Sequence, residues 1–195
     1  MKTRFILYAI CISLNNVAFA EPLVTFNYKV AVDRVNDYSN ILGGQVQAGD
    51  VIEVSLTYDA ATPDVWTDDP SIGQYFFLSG ENRWQYGFNA KIGQLIWELS
   101  PLSQSIKILN DHQQRSQIID SISVNNYITS SQLPCDKQAI NLELVNTNNL
   151  DVISSDTLPI APPKPSQFEI ARITISASET SCEFGYIISG KILPK

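Results

Sequence analysis

The sequence predicts an all-β domain. Its expected form is a two-sheet antiparallel sandwich, jelly-roll-like, of about ten strands. Three observations lead there. Apolar residues recur at every second position through most of the chain, and no segment carries an apolar stripe at helical spacing. Polar turn residues punctuate these runs. Proline collects in two irregular stretches, where it cannot be part of a central strand.

In chain order, Phe26, Tyr28, Val30 and Val32 alternate with Asn27 and Lys29. After Gly43-Gly44 and Gly49-Asp50, the residues Ile52, Val54, Leu56 and Tyr58 alternate with Glu53, Ser55 and Thr57. Weaker strands are expected at Tyr75 to Leu78, Trp84 to Ala90, Ile106 to Leu109 and Ile118 to Val124. Stronger ones fall at Leu95, Trp97 and Leu99, then at Ile140, Leu142 and Leu144, then at Ile173 and Ile175. The last strand places Phe184, Tyr186, Ile188 and Ile192 on one face. Asn110-Asp111 and the run from Asn146 to Asn149 read as polar breaks. One polar face per strand implies a layered, antiparallel arrangement, and a sandwich is expected over a closed barrel.

Residues 1–20 read as a signal peptide. Lys2 and Arg4 precede an apolar run from Phe5 to Leu14, and Ala18-Phe19-Ala20 is a cleavage signal before Glu21. The apolar run falls short of the roughly 20 residues needed to span a bilayer, so no membrane anchor is expected after cleavage. Residues 21–195 then form a single domain. The whole chain carries 13 basic and 20 acidic residues, a net charge of −7; losing Lys2 and Arg4 takes it to −9. That charge repels nucleic acid and suits a secreted or periplasmic protein.

Cleavage leaves Cys135 and Cys182, which in an oxidising compartment read as a disulfide. Such a bridge stabilises by about 4 kcal/mol in the chain-entropy model. With His112 as the single histidine, the thiols make a poor metal set.

The first irregular stretch holds Asp59, Asp64, Asp68 and Asp69, four carboxylates within a short loop. Calcium takes oxygen ligands of this kind, although the spacing is not that of an EF-hand. The alternative is that Asp59 and Asp64 close turns through nearby backbone N–H groups. Trp66 lies in the same loop and is the aromatic best placed to bind a ligand such as a glycan. Trp84, Tyr86 and Phe88 share one strand face and read as core. His112 follows Asp111 in a polar turn, with no G-x-S-x-G segment anywhere, so no serine-hydrolase site is expected. Glu53, Glu98 and Glu143 fall on the polar sides of strands and read as solvated. Neither a dinucleotide fingerprint nor a phosphate loop is present, and no cofactor is expected.

An ordered set of short motifs runs along the chain. Gly49-Asp50 opens a strand ending in Tyr58-Asp59, followed by Thr62-Pro63-Asp64 and Gly73-Gln74-Tyr75. Ser154 to Pro159, a proline-rich run, Phe168 and Ala171-Arg172 come next, and Ser189-Gly190-Lys191-Ile192 closes the chain. This set resembles a secreted β-sandwich domain found among bacterial PEP-CTERM (exosortase-sorted) proteins. The resemblance implies a bacterial, exported surface or matrix protein and no known catalytic site. The Pro-Glu-Pro signal of that family is not found, and the sequence stops at Leu193-Pro194-Lys195. Periplasmic residence or release is therefore expected. The overall expectation is a non-catalytic structural or binding protein whose partners are glycans or envelope proteins. A carbohydrate-binding module is the alternative, and a glycoside hydrolase with paired carboxylates a more distant one.

Overall fold

The structure, a computed structural model, describes residues 23–77, 86–135, 138–148, 152–177 and 185–194, with only the backbone described at 99 and 101–103. The expectations placed on residues 1–20, Trp84, Cys182 and Phe184 lie outside them.

Nine strands form among the described residues: β1 Leu23–Asp37, β2 Val51–Asp59, β3 Ile72–Phe77, β4 Gly87–Ile92, β5 Leu95–Gln114, β6 Gln117–Thr129, β7 Gln138–Asn146, β8 Ile170–Ala177 and β9 Tyr186–Ile192. One 3-10 turn, Pro165–Gln167, precedes β8. Two expected strands, around Trp97 and around Ile106, are halves of the long β5. The break expected at Asn110-Asp111 is a bulge within β5: Asp111 has φ 49°, and the register with β6 shifts between Leu109 and His112.

All pairings are antiparallel, and the order β5-β4-β2-β1-β9-β8-β7-β6 returns to β5 through the β5–β6 ladder. Eight strands thus close a barrel, and β3 adds to β5 beyond the short β4–β5 ladder. This closed barrel replaces the two-sheet sandwich of the sequence analysis. Alternation tells only that each strand has one buried face, which both architectures satisfy. What decides between them is β5 pairing with β6 along most of its length, and no residue pattern encodes that.

The inward positions are the alternating apolar ones: Tyr28, Val54, Phe88, Trp97, Ile140 and Ile188 are all buried. Outward positions carry charge in mid-strand. Lys29, Glu53 and Lys91 stand side by side on β1, β2 and β4. A transmembrane barrel has the reverse polarity, with an apolar outer band on which a mid-depth lysine costs about 2–4 kcal/mol. Among the described residues no helix is long and apolar enough to cross a membrane.

Both ends of the barrel are covered. Residues 38–50 fold Leu42 and Val46 into the core at one end, where the Asp37 carboxylate accepts from Ile41 N and Leu42 N at 2.8 Å each. The proline-rich segment covers the other end and buries Ile153, Leu158 and Phe168. Toward the Leu42 end the interior is polar. Trp97 Nε1 donates to Tyr186 Oη at 2.8 Å, Tyr186 donates to Gln138 Oε1 at 2.5 Å, and Gln138 Nε2 donates to Cys135 O at 2.9 Å.

Candidate functional site

A small apolar ligand inside an eight-stranded barrel needs an open interior. Here the proline-rich segment removes it. Tyr58 Oη donates to Pro159 O, and Tyr75 Oη donates to Asp156 O at 2.9 Å. The pocket between Tyr28, Tyr58, Ile106 and Pro163 holds about 10 Å³, and a second, of about 220 Å³, opens between the plug and Ile108 and Ile122. The first is at most the room for one water.

Burial and neighbouring charge make this plug sensitive to alkali. Desolvation raises the Tyr58 phenol above its ordinary value. Burial, then the charges of Asp64 and Asp156, raise Tyr75 from 10.0 to about 12. The folded state therefore holds these protons more tightly than the unfolded chain does. The resulting stability is fully present below pH 10 and lost as pH rises toward 12. Phenolate absorbance and near-ultraviolet dichroism, titrated together, should show late tyrosine ionisation coinciding with loss of tertiary signal. Ionisation of every phenol near pH 10 with the fold intact would mean that these hydroxyls are not seated on the plug.

The acidic loop uses most of its carboxylates internally. Asp59 Oδ1 accepts from Ala61 N at 3.0 Å. Asp64 Oδ1 accepts from Trp66 N at 2.9 Å and from Gln74 N at 2.8 Å, while Val65 N donates to Gln74 O at 2.9 Å. The loop is thereby tied along the edge of β3, with Trp66 51% exposed. Asp68 is exposed. Asp69 Oδ1 accepts from Ser71 N at 2.9 Å and from Ser71 Oγ at 2.7 Å. These bonds, then the charge of His112, hold the Asp69 carboxyl below its ordinary value. The turn-closing role weighed for Asp59 and Asp64 is what the geometry supplies, and Asp69 shares it. Among the described residues no three His, Cys, Asp or Glu side chains cluster as a metal site.

His112 lies in the β5 bulge rather than in a free turn, and its Nδ1 is 2.8 Å from Ser71 Oγ. The order is Asp69–Ser71–His112, with serine in the middle. Nucleophile activation needs histidine in the middle. The chain of bonds instead fastens the acidic loop to β5.

A groove of about 810 Å³ lies outside the barrel, over β1, β2 and β4. This is within the range of small-molecule sites. Asn27, Ser55 and Asn89 form one cross-strand row of its floor, and Lys29, Glu53 and Lys91 the next. Ile96, Leu193 and Pro194 supply apolar wall. Glu53 is the single carboxylate among its described lining residues and sits between two lysines. Glycosidic hydrolysis needs two carboxyl groups about 5–10 Å apart. Glu98 and Glu143 are on β5 and β7, outside this groove.

Two of the inward polar residues that sequence reasoning missed are Asp120 and Gln104. Asp120, 0% exposed, accepts from Asp111 N at 2.7 Å, Val152 N at 3.1 Å and Ile153 N at 3.0 Å. Gln104, 1% exposed, has neither amide atom hydrogen-bonded among the described residues. For Asp120 the one available signal was an acid interrupting the alternation just after Ile118-Ile119. Comparison with protein-family models, with curated proteins and with solved structures found no match.

Proposed function

We propose that the mature chain is an exported, non-catalytic protein of the bacterial envelope or extracellular matrix that binds its partner on the outside of a filled barrel. One contrast carries this reading: the pocket enclosed between Tyr28, Tyr58, Ile106 and Pro163 holds about 10 Å³, against an open groove of about 810 Å³ outside. The test is binding by the purified mature protein. It should sediment with bacterial envelope or matrix material and show no stoichiometric uptake of a fluorescent fatty acid. Fatty-acid uptake without sedimentation would make it an interior carrier and overturn the reading.

Export and the Cys135–Cys182 bridge belong to the same proposal, and the register supports it. Gln138 opens β7 and Tyr186 opens β9, and both pair with Ala177 of β8. The strands that follow the two cysteines in sequence therefore start at the same end of the barrel, about 10 Å apart. Peptide mapping of exported protein without reductant should give an N-terminus at Glu21 and a Cys135–Cys182 crosslink. Two free thiols would remove the bridge.

A further inference from the structure

We infer a second binding face, for a neutral glycan chain, on the outer surface of β3, β5, β6, β7 and β8. The inference deepens the reading of an outward-binding barrel by naming a ligand class, and it uses a surface separate from the Lys29–Glu53–Lys91 groove.

Strand pairing assembles this face. Phe76 pairs with Ser105, Ser105 with Asn125, Asn125 with Asn141, and Asn141 with Thr174. The five residues make one outward row of an aromatic, hydroxyls and amides, spaced about 4.8 Å from strand to strand. Asn141 Nδ2 donates to Asn125 Oδ1, and Asn125 Nδ2 lies 3.5 Å from Ser123 Oγ, so the amides hold one another in place. The next row starts with Tyr127, which pairs with Ala139, and Ala139 with Ser176. Together they line a shallow groove of about 330 Å³.

Two features of the groove select its ligand. Phe76 is 45% exposed and Tyr127 46%, although each neighbours buried positions along its strand. Their Cα atoms are two strands and two residues apart, about 12 Å by strand geometry. That separation suits a short run of sugar rings, whose C–H faces stack on aromatic rings while their hydroxyls meet amides and hydroxyls between. In addition, no described residue of the groove is charged, in a chain that is 17% charged overall. Charge stands at the margins: Lys107, Glu143 and Arg172 in the flanking row, and Asp33, which accepts from Ser189 Oγ, beyond Thr174. A phosphate-bearing or polyanionic ligand would need cations in the groove itself.

The experiment is affinity electrophoresis of the mature protein through gels containing neutral polysaccharides (a β-1,4-glucan, a β-1,3-glucan, an α-glucan) or the polyanion alginate. At least one neutral polymer should retard the protein. Phe76→Ala and Tyr127→Ala should each weaken that binding about 2- to 13-fold, from the worth of one aromatic contact. Tyr127→Phe should bind as the parent does, and unchanged thermal unfolding would show that the alanine variants are folded. Retardation that persists in the double alanine variant overturns the face, and so does salt-sensitive binding to alginate alone. No retardation by any polymer, with sedimentation on envelope material intact, overturns the glycan while leaving the outward-binding reading standing. Loss of both overturns that reading as well.

Discussion

Replacing Asp120 with alanine is expected to lower the unfolding free energy by about 3–5 kcal/mol. The carboxylate is 0% exposed and is the shared acceptor for three backbone N–H groups. One belongs to Asp111 at the β5 bulge, and two belong to Val152 and Ile153, where the plug begins. Alanine leaves all three donors without this acceptor, and each unsatisfied buried group costs about 1–3 kcal/mol. Asparagine retains one acceptor oxygen and presents an N–H₂ in place of the other, so its loss should fall between alanine and the parent. Urea denaturation of the three proteins measures this. A loss below about 1 kcal/mol for alanine would mean that water replaces the carboxylate readily, and that the site is far less closed than its burial indicates.

Asp120 also shows where sequence reasoning stops. Alternation located the strands because every strand of a barrel has one face toward the core and one toward water. The inward sets around Tyr28, Val54, Ile140 and Ile175 were legible for that reason. Closure was not, because the β5–β6 ladder joins residues by register and leaves no mark on either strand's pattern. Inward polar residues escape the same rule: Gln104 and Asn126 are cross-strand partners on the buried face, where a polar letter reads as outward. Of the candidate residues, Asp59 and Asp64 were legible as turn-closers, since an aspartate reaching the N–H two residues on is a local event. Phe76 and Tyr127 were not separable from core aromatics. Their exposure depends on which face of β3 and β6 points inward, and the barrel sets that.

Gly73→Ala should destabilise the protein by about 2–3 kcal/mol. A Cβ at Gly73 would lie 2.0 Å from Asp156 O and 3.0 Å from its carbonyl carbon. Neither side can yield easily. Gly73 is fixed by its pairing with Ile108 of β5, and Asp156 O is the acceptor for Tyr75 Oη at 2.9 Å. The strand is held by a ladder, so the plug is what moves, and the Tyr75 bond breaks with it. The two changes should therefore be non-additive: Tyr75→Phe should cost measurably less in the Gly73→Ala background than alone, a coupling read from a double-mutant cycle. The methyl should also reveal what the plug does for function. With the proline-rich segment lifted, the apolar lining between Tyr28, Ile106 and Leu142 is exposed, and the protein should bind an apolar dye that the parent excludes. Glycan retardation through Phe76 and Tyr127 should survive, because both side chains are on the outer face of strands held by their ladders, while Gly73 and Tyr75 meet the plug on the inner face. Additive costs and no dye binding would place the plug's hold elsewhere and remove the argument that it keeps the interior closed.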